Sequence, residues 1–134
     1  MAFHVTMRIH PALGGVAPPV LAAVWRGVVE QRHRPDAVLL AACLMPDHLH
    51  VLARPGERDL IAFVGSLKSW TTRLAWQVGQ RGTLWQPGFY DRAVRDRRQF
   101  ESAARYVIAN PVRAGLVESP EAWPFAWAWW FDEP

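Results

Sequence analysis

An α+β fold, with two helices covering one face of an antiparallel sheet, is predicted by three observations. The segments FHVTMRI and HLHVLAR alternate apolar and polar residues with the period of a half-buried strand. Leu60, Val64, Leu67, Thr71, Leu74 and Val78 recur at the three- and four-residue spacing of an amphipathic helix. Gly and Pro clusters and a Pro-Asp pair separate these segments as turns.

The elements follow in order. In residues 3–9, Phe3, Val5, Met7 and Ile9 share one side of a strand, and His4, Thr6 and Arg8 share the other. HPALGGVAPP is a loop. Residues 20–34 read as a helix with Leu21, Val24, Val28 and Trp25 inward. AVLLAACLM, residues 37–45, is a continuous apolar run between turn signals, which predicts a central strand. Pro46 and Asp47 turn the chain back into residues 48–54. There Leu49, Val51 and Ala53 face one way, and His48, His50, Leu52 and Arg54 the other. Residues 57–80 form the second helix, begun by Glu57 and Asp59, where the dipole favours anions, and ended by Gly79 and Gly82. Residues 89–96 are a fourth strand. Asp96 and Gln99 form a capping box opening a helix to Asn110, which Pro111 closes.

This β-α-β-β-α-β order is the ferredoxin-like arrangement, here extended by an extra C-terminal helix and an aromatic tail. The 134 residues make one domain: a core of about 3–96, a helix of about 97–110 and a tail of 111–134. The first and third strands should lie side by side at the sheet centre, with their apolar sides under the two crossover helices. His4, Thr6 and Arg8 then share the opposite face with His48 and His50. Trp123, Trp127, Trp129 and Trp130 of the tail are expected to pack on the domain, with stacking on unpaired bases as the alternative. Tyr90 is read as a structural strand residue.

Composition narrows the classes. Half of the chain, 51%, is hydrophobic, enough for a sizeable core. No apolar run approaches the ~20 residues that span a bilayer, and the first residues lack a signal-peptide pattern. The lone Cys43 excludes an internal disulfide framework and a multi-cysteine zinc site, which points to a cytoplasmic protein. The net charge is +3, yet residues 68–113 hold nine basic against three acidic residues. Such a segment suits a polyanion like nucleic acid, the alternative being a solvated arginine-rich surface.

The two histidines of MPDHLHVL lie two apart on a strand, about 6.5 Å at Cα, so both imidazoles can converge on one ion while Leu49 serves the core. A hairpin with two solvent-facing histidines is the alternative, and context comes from ESAARYVIANP. Phe100, Ala104, Val107 and Ile108 form the apolar stripe of that helix, with Tyr106 and Asn110 together on its flank, one turn apart. Laid across the open sheet face, this helix would bring Tyr106 and Asn110 towards His48 and His50. Imidazole and oxygen donors with open positions suit Mn²⁺ or Mg²⁺, which can polarise a scissile phosphate. Attack by Tyr106 would replace one phosphoester by another, a reversible step that can rejoin strands. A tyrosine capping the edge of the core is the alternative.

MPDHLHVL resembles the HUH motif (His, hydrophobe, His) of the single-tyrosine transposases. LWQPGFYDRAVRD, RYVIANPVRAGLV and AWPFAW resemble their REP-associated branch, and the four blocks occur in that family's order across residues 45–127. The resemblance implies metal ligation by His48, His50 and Asn110, with Tyr106 as nucleophile. It further implies a ferredoxin-like fold and cleavage of single-stranded DNA at or near a REP-like hairpin, with a 5′-phosphotyrosine intermediate and a free 3′-OH. His4, Arg8, Arg54, Arg95, Arg97 and Arg113 are the candidate DNA contacts. A monomer and a homodimer both remain open. The alternatives are a hairpin-binding protein without the reaction, a replication-initiator or relaxase type of HUH nickase, and an RNA-recognition module. The last places aromatics on its central strands, where this chain has His, Thr and Arg.

Overall fold

A computed structural model describes residues 1–56 and 58–132. The strands are β1 (Ala2–Arg8), β2 (Val38–Met45), β3 (His48–Arg54), β4 (Tyr90–Val94) and β5 (Ala126–Ala128). They form one sheet of order β4-β1-β3-β2-β5, with every pairing antiparallel. Helices α1 (Pro18–Val29) and α2 (Leu60–Gln77) pack together on one face, and α3 (Arg97–Ile108) lies on the other, followed by the short α4 (Asn110–Arg113). The first four strands have the ferredoxin-like order, with β1 and β3 central as expected.

Two hydrophobic cores result. Val5, Met7, Leu49 and Val51 meet Val24 and Val28 of α1 and Phe63, Val64 and Leu67 of α2. On the opposite face, Ala41, Cys43, Met45 and Leu52 meet Ala104, Val107 and Ile108 of α3 together with the tail aromatics Trp123, Trp129 and Trp130. This explains why β2 is a continuous apolar run: it is covered on both faces, whereas β1 alternates because half of its outer face stays polar. A register shift between Leu39 and Ala41 lets Leu39 and Ala42 serve the same core despite their odd spacing.

Several boundaries differ from expectation. The first helix ends at Val29, and one 3-10 turn, Glu30–His33, finishes the segment. The second starts at Leu60, where the Asp59 carboxylate accepts the Ala62 N–H at 2.7 Å. Glu57, expected in its first turn, lies outside the described residues. Asp96 caps α3 by accepting the Gln99 N–H at 2.9 Å. The Gln99 side chain reaches back to the Arg95 N–H at 2.7 Å, one residue beyond the expected capping-box partner. Pro111 does not end the helical path; it is buried at the start of α4. The tail packs on the domain and adds β5 to the β2 edge, with the Trp123 Nε1–H donating to the Leu44 carbonyl at 3.0 Å.

Candidate active site

The β1–β3 register builds the histidine cluster. Thr6 faces His50 and Arg8 faces His48 across the ladder, while His4 sits one pleat along on the same face. The His4 Nε2 lies 2.9 Å from the His50 Nδ1, and the Thr6 hydroxyl 3.2 Å from that same nitrogen. The His48 Nδ1 lies 2.6 Å from the Asp47 carboxylate. Each HUH imidazole therefore has its Nδ1 engaged. With the proton on that nitrogen, Nε2 keeps a lone pair for a cation, and a carboxylate behind His48 fixes the tautomer.

Burial acts in the same direction. His50 is only 6% exposed. Desolvation, then the neighbouring His48, His4, Arg113 and Arg8, push its pKa down to about 3. His4 is lowered by burial and by Arg92. Asp47 is held below the usual carboxylate range, chiefly by its hydrogen bond with His48. His50 is thus a neutral imidazole, the form that ligates metal. The residues present fit a divalent cation with open positions. Among the described residues no group of three or more His, Cys, Asp or Glu side chains has the arrangement to hold a metal ion by itself.

Helix α3 brings the phenol. Ala104, Val107 and Ile108 are buried against the sheet, which leaves Tyr106 on the flank, 51% exposed. Its ring centroid lies 5.6 Å from that of His4 and 6.2 Å from that of His50, and the His48 and His50 rings are 4.8 Å apart. The structure therefore gathers Tyr106, His48, His50 and His4 on one face.

Asn110 has other contacts. Pro111 has no N–H to donate to the Val107 carbonyl, and the Asn110 side-chain nitrogen takes that place at 2.9 Å, also reaching the Tyr106 carbonyl at 3.2 Å. Its amide oxygen accepts from Arg113 at 2.9 Å. The Arg113 guanidinium in turn sits 4.1 Å from the Tyr106 ring centroid. Ligation by Asn110 would use the second lone pair of that oxygen and set the cation close to the Arg113 guanidinium.

The remaining candidates divide by place. Arg8 stands opposite His48, beside a cleft of about 250 Å³ that Tyr90 also lines. Arg54, over the Phe100 ring at 5.0 Å, and Arg97, paired with Glu101 at 3.5 Å, line a separate cleft that does not include Tyr106. Arg95 is exposed just before α3. Two residues that were not singled out, Arg92 and Arg98, line a cleft of about 530 Å³ with His4, Ser102 and Tyr106. The four-residue spacing of Arg98, Ser102 and Tyr106 marks one stripe of α3 and could have identified Arg98. Arg92 needs the β1–β4 register, which places it opposite His4. Tyr90 lies on a strand, β4, as expected, and its side chain is 73% exposed.

A family model described as "Transposase IS200 like" matches residues 19–110. A protein of Haemophilus influenzae named as a REP-associated tyrosine transposase is 28% identical over 99 residues, 65% of this chain and 56% of that protein. The REP-associated tyrosine transposase of Escherichia coli is 28% identical over 98 residues, 72% of this chain and 56% of that protein. The chain thus spans little more than half the length of these curated relatives. A REP-associated tyrosine transposase solved with a REP hairpin superposes with a TM-score of 0.68 at 20% identity, covering 93% of this chain and 74% of that one. A protein of Deinococcus radiodurans described as a transposase superposes with a TM-score of 0.54 at 21% identity, covering 82% of this chain and 89% of that one. These two likenesses establish the fold. No helix among the described residues is long and apolar enough to cross a membrane.

Proposed function

Because this chain belongs to the IS200-like transposase family, we propose that it cleaves and rejoins single-stranded DNA at or near a hairpin, with Tyr106 as the nucleophile. One observation carries the reading: α3 sets the exposed Tyr106 phenol beside the paired imidazoles of its own chain, its ring 6.2 Å from that of His50. A REP-like hairpin is the proposed partner, since relatives of this chain are named for REP elements and a structural neighbour was solved on a REP hairpin.

In the proposed step the Tyr106 oxygen attacks the scissile phosphorus and its proton leaves to solvent. The bond from phosphorus to the tyrosine oxygen forms as the bond to the 3′ oxygen breaks. That oxygen takes up a proton and departs as a 3′-hydroxyl, and the other strand end stays as a 5′-phosphotyrosine. Ester replaces ester, so a second 3′-hydroxyl can reverse the step and join strands. Mg²⁺ or Mn²⁺, held by His48 and His50 with Asn110 as a further ligand, would supply the charge that polarises the phosphate oxygens. Asp47 and His4 orient the two imidazoles, and Arg113, which now donates to the Asn110 oxygen, can turn to an incoming phosphate oxygen. A monomer is the proposed form, supported by the short distance between the Tyr106 and His50 rings of one chain.

The test uses labelled hairpin-bearing single strands with Mn²⁺ or Mg²⁺. An adduct that survives SDS is expected, and Tyr106→Phe should abolish it while retaining hairpin binding. Hairpin binding without an adduct under either metal would replace this reading by that of a binding protein. Cleavage that survives His48→Ala would remove the metal site from it.

A further inference from the structure

Tyr90 and Arg92 stand two residues apart on β4 and so point to the same side of the sheet. Their partners on β1 are Thr6 and His4, which puts both on the face that holds His50 and Tyr106. β4 is the sheet edge, so this face runs straight to solvent. An aromatic ring 73% exposed contributes little to the core, and a guanidinium with no acidic partner among the described residues stabilises little by pairing. Arg98, also exposed and unpaired among the described residues, lines with Arg92 the cleft of about 530 Å³ that Tyr106 also lines.

The platform beneath them is fixed. The Lys68 ammonium donates to the carbonyls of Gln86 at 3.0 Å and Gly88 at 2.5 Å, pinning the loop into β4. Gly88 makes that turn at φ +81°, a conformation that favours glycine. Trp85 anchors the segment, its Nε1–H donating to the Thr71 hydroxyl at 2.9 Å. An exposed ring on the same strand face as one unpaired guanidinium, with a second lining the cleft that the first lines, offers what an unpaired nucleotide strand requires: a π-face for a base and cations for its phosphates. A duplex hides its base faces and gains nothing from the ring.

We propose that the outer face of β4 is the track for the unpaired strand that runs into the site, with Tyr90 stacking a base and Arg92 and Arg98 holding neighbouring phosphates. This rests on the single-strand reading above, and its test needs neither metal nor cleavage. The affinity of a labelled hairpin-free hexathymidine is measured by fluorescence anisotropy against salt concentration. Tyr90→Ala is expected to weaken binding about tenfold, and Tyr90→Trp to restore it. Arg92→Ala and Arg98→Ala should each flatten the log K against log salt slope by about 0.7, the loss of one phosphate contact. Arg81→Ala, outside the cleft, should leave the slope unchanged. Unaltered affinity in Tyr90→Ala, an equal slope change in Arg81→Ala, or the same Tyr90 dependence with a stable GC-rich duplex overturns the proposal. Tyr90-dependent binding by a protein that forms no phosphotyrosine adduct supports it and overturns the cleavage step alone.

Discussion

At the scale of single residues, the two histidines of the HUH pair are placed by one rule, that residues two apart on a strand share a face. That much was legible in HLHVLAR. The engagement of His50 by His4 was not, because it depends on which residues of β1 stand beside which residues of β3, a register that neither strand encodes alone. The cluster makes the metal-free protein sensitive to acid. His50 has a folded-state pKa near 3, against about 6.5 for an unperturbed imidazole. Between these values the unfolded chain binds more protons, so stability is complete above the unfolded pKa and falls with pH through this window. Lowering the pH from 6.5 to 5.5 should cost about 1 kcal/mol through His50, and His4, lowered for a similar cause, adds to the slope. Urea unfolding at a series of pH values in chelator measures it. His50→Gln should flatten the curve, and an unchanged curve in that variant would locate the acid sensitivity elsewhere.

At the scale of elements, α3 does two jobs with one sequence. Its apolar stripe was readable from spacing, and so was the Asp96 cap; Asp96→Ala should cost about 1 kcal/mol by leaving the Gln99 N–H without its acceptor. The end of the helix was less readable. Proline predicts a stop, but a buried Pro111 and an Asn110 side chain that bonds the orphaned Val107 carbonyl carry the path on into α4. Asn110 therefore has a local structural task as well as its proposed role as a ligand, and Asn110→Asp separates them. A carboxylate cannot donate to the Val107 and Tyr106 carbonyls, so stability should fall by about 1–2 kcal/mol in thermal unfolding. Its oxygens are better ligands than an amide, so Mn²⁺ affinity, read by electron paramagnetic resonance, should hold or rise. Wild-type Mn²⁺ affinity in Asn110→Ala would leave Asn110 only its local task.

At the scale of the whole molecule, alternation in β1 and β3 and helical spacing in α2 specified the sandwich because each reports one buried face. They could not report the second core, since the cover over β2 comes from α3 and from a tail whose strand, β5, is three residues long. The tail tryptophans are the consequence. Trp123 donates to the Leu44 carbonyl and packs edge-on against Phe125, its ring 6.0 Å away, while Trp129 and Trp130 close the second core. Arg32 stacks on Trp127 at 4.5 Å and pairs with Asp132, tying the tail back to the turn after α1. If these rings serve packing, removing one should act on folding and not on DNA. Trp123→Ala is expected to destabilise by about 3 kcal/mol, lowering the melting temperature. Single-strand affinity, measured at a temperature where the variant is still folded, should be unchanged. Loss of the tail beyond Trp123 should do more, because it also bares the β2 edge that β5 covers and invites edge-to-edge association. The opposite result, a wild-type melting temperature with weakened single-strand binding in Trp123→Ala, would assign the tail to base stacking.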